Sequence, residues 1–155
     1  MKIITNNPLV KAEYPHITEY LDAGVRDVLI KVRDYIHLGA ELLNHPQSGN
    51  LSINACPYKS LVLKEKADFV PITTSAPVTT SAPVTTSAPV TTSAPITTST
   101  PGTTDFYSLE LIENALGLFA ESTESSINFD DCNEKTLCDF QILDFDLFKQ
   151  CFVTM

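Results

Sequence analysis

Residues 25–60 read VRDVLIKVRDYIHLGAELLNHPQSGNLSINACPYKS, and two periodicities meet inside that stretch. Val25, Val28, Leu29, Val32, Ile36 and Leu43 recur at helical spacing, while Arg26, Lys31, Arg33, Asp34 and His37 take the other side. One apolar stripe against one polar stripe predicts an amphipathic helix laid on a core. Gly39 is its stop signal, because a helix commonly ends on a residue that must adopt a left-handed conformation. Beyond the stop, Ala40–Asn44 is a short apolar run with strand character, closed by His45-Pro46. The next dozen residues are polar, with Gly49 and Pro57 as breakers, and Lys59–Lys64 is a second strand.

Working outward, the chain before residue 25 reads as a βα unit. Lys2–Thr5 is a β-rich run. Asn7 is a good helix N-cap, and Pro8 suits the first helical position because its missing N–H is not needed there. A short helix to about Tyr14 follows and stops at Pro15; Ile17–Leu21 reads as a second strand and Asp22–Gly24 as its turn. Downstream, Thr73 begins the hexapeptide TTSAPV, which recurs from 79 and 85, becomes TTSAPI at 91 and decays at 97. A proline every six residues rules out a continuous helix or a central strand. Side chains this small cannot offset the entropy of ordering the chain, so the tract reads as a disordered, partly extended tether. Order resumes at Asp105, a helix cap, with Leu109, Ile112, Ala115, Leu116 and Phe119 on one stripe to about Glu121. Ser122–Lys135 reads as an acidic loop and Leu137–Leu143 as a strand. Asp144 reads as the cap of a last helix that turns Leu147, Phe148, Cys151 and Phe152 inward.

Strands alternating with helices predict an α/β fold, a small three-layer domain with a mostly parallel sheet. Residues 1–66 and 105–155 form it, and the Thr/Ser/Ala/Pro repeat loop at 67–104 interrupts it. The formal charge of −9 lies in the last third: residues 105–155 carry eleven acidic side chains against Lys135 and Lys149. Nucleic acid and anionic membranes need a basic footprint, so neither is an expected partner. The N-terminal segment has no apolar run of signal-peptide length, and no segment approaches the roughly 20 apolar residues of a membrane span. A cytoplasmic chain with reduced thiols is therefore expected. Cys132, Cys138 and Cys151 match no paired zinc spacing, so no metal is expected, and Cys138 and Cys151 read as small core residues.

If strands one and three are neighbours, their carboxyl ends bring Asn6, Asn7 and His45 to one crevice, where ligands of parallel α/β sheets bind. The loop after His45 covers the same edge. The candidate pocket comprises Asn6, Asn7, His45, Ser48, Gly49, Asn54, Tyr58 and Lys59. Ser48-Gly49-Asn50 can present backbone amides to an anion, and Lys59 can neutralise one. Each residue also has a plain structural reading: capping alone explains Asn7-Pro8, and a histidine before proline commonly serves as a hydrogen-bonder. A Cys56 nucleophile with His45 as its base is conceivable, although nothing in the sequence lowers the thiol's pKa. No dinucleotide, Walker or nucleophile-elbow motif occurs, so no catalytic residue and no cofactor is assigned.

The segments ITNNPLV at 4–10, VLIKVRDYIHLGAELLNHP at 28–46, Ser48-Gly49, Asn54 and PYKS at 57–60, with IEN at 112–114 and DFQILDFDL at 139–147, together resemble the GrdX family. Its members are small proteins encoded with the selenium-dependent glycine, sarcosine and betaine reductase systems of amino-acid-fermenting anaerobes. The resemblance implies a non-catalytic accessory or assembly role with amino-acid reductase subunits as partners, and transfers no catalytic residue. The family's loop carries a basic residue where Asn50, Ser52, Ile53, Ala55 and Cys56 depart from the pattern, and the hexapeptide tract is no part of it. The alternative, from the crevice residues, is a small-molecule- or anion-binding or enzymatic α/β domain.

Overall fold

The computed structural model describes residues 1–47, 53–65, 104–121 and 132–153. The repeat tract, Ser48, Gly49 and most of the acidic stretch after Glu121 lie outside the described residues. The elements are β1 (Lys2–Thr5), α1 (Pro8–Glu13), β2 (Thr18–Tyr20), α2 (Val25–His37), β3 (Glu41–Leu42), β4 (Ser60–Lys64), α3 (Phe106–Glu121) and α4 (Glu134–Val153). Met1–Phe69 and Pro101–Met155 belong to one unit.

The local signals act as their chemistry dictates. Asn7 caps α1, its side-chain oxygen accepting the Leu9 N–H at 3.0 Å. Gly39 ends α2 at φ 99°, a region that costs glycine little. The Gly39 N–H then bonds the Ile36 carbonyl and the Ala40 N–H that of Tyr35, so two of the helix's last carbonyls are satisfied. Asp105 caps α3 by accepting the Ser108 N–H.

The described strands form one four-stranded sheet in the order β2-β1-β4-β3. β1 pairs with β2 in parallel, whereas β4 is antiparallel to both of its neighbours. The sheet is therefore mostly antiparallel, which corrects the expected parallel sheet. The reason lies in one connection. α1 joins β1 to β2 and α2 joins β2 to β3, and these three strands run the same way. The described parts of the link from β3 to β4 hold no helix, and without a crossover the chain returns antiparallel. β4 thus slots between β1 and β3, which are not neighbours.

Period-two alternation along the two central strands divides the core between the sheet's faces. Ile4, Leu61 and Leu63 join Val28, Leu29, Val32 and Ile36 of α2 and Ile112 and Ala115 of α3 on one face. Ile3 and Val62 join Val10 of α1 and Phe148 of α4 on the other. Ile3, Ile4, Leu29, Ile36, Leu61 and Leu63 are wholly buried. At about 1.5–3 kcal/mol for each such side chain, these contacts are the main source of cohesion.

The C-terminal reading needs a second correction. Residues 137–143 are not a strand but the first half of α4, and Asp144 sits mid-helix rather than at its cap. Asn133 does the capping, accepting the Thr136 N–H at 2.8 Å. The inward line of α4 runs through Asp144, Phe148 and Phe152, four residues apart. A charge in the middle of that line breaks the apolar pattern on which a helix is recognised. Cys138 and Cys151 are exposed, not core. Among the described residues, no helix is long and apolar enough to cross a membrane.

Candidate functional site

Because β1 and β3 run the same way, Asn6, Asn7 and His45 follow the same edge of the sheet, and β4 enters from that edge. Thr5 and Ser60 are register partners there. Both lie on the face covered by α1 and α4, and the Thr5 and Ser60 hydroxyl oxygens are 2.7 Å apart. Ser60 donates to Asp144 Oδ2 at 2.7 Å, and Asn7 Nδ2 donates to the same oxygen at 2.9 Å. With the Ser60 proton spent on Asp144, the Thr5 hydroxyl is the donor to Ser60. Thr5 Oγ1 in turn accepts the Asn7 backbone N–H at 2.9 Å. The chain of donors therefore ends on one buried carboxylate, 5 % exposed. Asn7 Nδ2 also reaches the Gln141 carbonyl, so Asn7 joins α1, β1 and α4.

Asn6 has a parallel duty among loops. Its Nδ2 donates to the carbonyls of Ala23 and Pro57, and its Oδ1 accepts the Lys59 backbone N–H at 2.8 Å. The segments after β1, before α2 and before β4 are thereby tied at one point. Asn44, which the sequence reading passed over, extends the sheet past β3 with its side chain: Oδ1 accepts the Val62 N–H and Nδ2 donates to the Ser60 carbonyl. A buried asparagine beside a strand end is the signal that would have singled it out.

The remaining candidates do not all converge. Tyr58 accepts a hydrogen bond from Gln141 Nε2 at 3.0 Å. Asn54 donates to the Phe119 carbonyl at 3.3 Å, while its buried Oδ1 meets no donor among the described residues. His45 is exposed and its Nδ1 accepts the Gln47 N–H. Ser48 and Gly49 lie outside the described residues. Cys56 is buried and its thiol points at the Phe140 carbonyl at 3.7 Å. Burial pushes that thiol's pKa up, so Cys56 lacks the thiolate character of a nucleophile.

Residues 2–76 match the family model described as GrdX-like protein. The N-terminal half is GrdX-like. The GrdX-like span holds the whole sheet, α1, α2 and every candidate pocket residue; Gln141 and Asp144, which complete the network, lie beyond it. A second model, described as a Schizosaccharomyces pombe repeat of unknown function, matches residues 71–104, the hexapeptide tract. No curated protein and no solved structure matches the chain.

At the opposite end of the GrdX-like sheet lies a groove of about 440 Å³, lined in part by Lys2, His16, Thr18 and Glu19. Glu19 Oε2 sits 2.7 Å from the Lys2 ammonium and accepts the Tyr35 hydroxyl at 2.6 Å, and Lys31 approaches Oε1 at 3.2 Å. Partial burial alone would raise its pKa, but the bonds from Lys2, Tyr35 and Lys31 outweigh it and lower the carboxyl from 4.5 to about 2. A carboxyl depressed by folding leaves the unfolded chain binding more protons at acid pH. Its stabilisation is therefore whole above pH 4.5 and is lost as pH falls towards 2. In urea melts across that window, the wild type is expected to lose stability more steeply than Glu19→Gln. Equal slopes would show that Glu19 titrates normally.

Proposed function

We propose that this chain is a non-catalytic accessory or assembly protein of a selenium-dependent glycine (amino-acid) reductase system. The GrdX-like match over residues 2–76 carries this reading. The sheet edge agrees with a scaffolding role: the amides of Asn6 and Asn7 and the hydroxyl of Ser60 are committed to the protein's own bonds. Tagged protein captured natively from anaerobic cells expressing the reductase is expected to bring reductase subunits with it. Repeated native captures that contain none would overturn the assignment. A second reading, a small-molecule-binding α/β domain with its site at this edge, is favoured by one observation: Lys59 is buried there, and among the described residues its ammonium has no ion pair.

A further inference from the structure

α3 reads FYSLELIENALGLFAE, with Glu110, Glu113 and Glu121 as its charges and no basic residue. One stripe of it goes inward: Ser108, Ile112 and Ala115 are buried against the core. Phe106 and Tyr107 are left 77 % and 69 % exposed, the two most exposed large apolar side chains among the described residues, and Leu118 is 47 % exposed. Single exposed apolar side chains are ordinary, but aromatic rings grouped on one helix mark an interaction surface.

A second feature of the same face points outward. Glu110, Glu113 and Gly117 follow Phe106 at four, seven and eleven residues, so all four share one side of the helix, away from the buried stripe. Glycine is the poorest helix former after proline, yet nothing inside the molecule requires it at 117: a side chain there would meet no atom within 4 Å. A notch on an exposed face suits a second backbone that approaches from outside.

The charges decide what that backbone belongs to. Among the described residues Glu110 and Glu121 have no ion pair, and Glu113 reaches Arg33 only at 4.0 Å. A second copy of this chain would set one acidic face against another, and nucleic acid or an anionic membrane would be repelled. Lysine or arginine flanking apolar side chains complements the face. A helix that carries both along one side fits a straight helical surface.

We infer that the outer face of α3 docks a partner protein through a basic amphipathic helix of that partner, an inference that rests on the accessory reading above. Phe106 and Tyr107 enter between its apolar side chains, its backbone approaches α3 at Gly117, and its lysines or arginines pair with Glu110 and Glu113.

The test is fluorescence anisotropy of a labelled leucine–lysine amphipathic helix titrated with the full chain, a leucine–glutamate helix being the control. The basic helix is expected to bind, more weakly as salt screens the glutamates, and the acidic one not to bind. Phe106→Ser with Tyr107→Ser is expected to weaken binding about tenfold. Gly117→Leu is expected to weaken it as much while raising the melting temperature, because leucine is the better helix former. A wild type that ignores the basic helix, or variants that bind it as well as the wild type does, would overturn the docking surface. So would a wild-type dimer in sedimentation that the double substitution dissolves, which would give the face to a second copy. Binding gained only when residues 70–100 are deleted would overturn it too, giving the face to this chain's own repeat. The assay needs no reductase, so its failure is told apart from an empty native capture, which overturns the accessory assignment.

Discussion

Phe148→Ala is expected to lower stability by about 3–5 kcal/mol, the range for removing a large aromatic from a core. Phe148 is 2 % exposed and is the residue through which α4 reaches Ile3 and Val62 on the sheet. It also anchors an aromatic cluster. Its ring lies 5.7 Å from Tyr14 in an edge-on arrangement and 5.2 Å from Phe152, nearly parallel. Each such pair adds about 0.5–1.5 kcal/mol beyond area burial. Truncation therefore removes transfer energy, opens a cavity and frees Tyr14 and Phe152 together. Urea denaturation measures the loss directly. A cost below about 1 kcal/mol would mean that the site collapses freely, and that α4 is not packed on the sheet as described.

Asp144→Ala is the second large effect, expected at about 2–4 kcal/mol. The carboxylate gains little merely by being buried, but two buried donors depend on it. Without it the Ser60 hydroxyl has no acceptor, and Asn7 Nδ2 keeps only the Gln141 carbonyl. An unsatisfied buried donor costs about 1–3 kcal/mol, whereas removing both partners together can be nearly neutral. Ser60→Ala should accordingly cost much less in the Asp144→Ala background than in the wild type. Additive costs in that double-mutant cycle would show that the two side chains do not interact. Asp144→Asn, which keeps an acceptor for Ser60, should fall between wild type and Asp144→Ala.

The two substitutions probe the one helix whose first half was misread, and the misreading has a definite cause. Residues 137–143 offer a partial apolar alternation, and Asp144 is an acceptable helix cap on composition alone. Nothing in the local pattern says that its carboxylate will face Asn7 and Ser60, which lie more than eighty residues away in sequence. The face of α4 consequently shifts, leaving Cys151 exposed and bringing Asp144 inward. The candidate pocket shows the same division. Asn6 and Asn7 stand out because a helix cap directly after a strand places both at that strand's carboxyl end. Their partners carry no such mark: Ser60 reads as part of a strand and Asp144 as a helix cap.

What the chain's order of residues settled is local: where α1, α2 and α3 begin, that Gly39 ends α2, and which positions alternate between the two faces of β1 and β4. Those features depend on side-chain shape, backbone freedom and neighbours within a turn or a pleat. The pairing partners came from elsewhere. That β4 would enter between β1 and β3 and run against both depends on a link lacking a crossover helix, and on the burial of both faces of β4 beneath four helices. Long-range packing of that kind leaves no periodic trace in the strand it places.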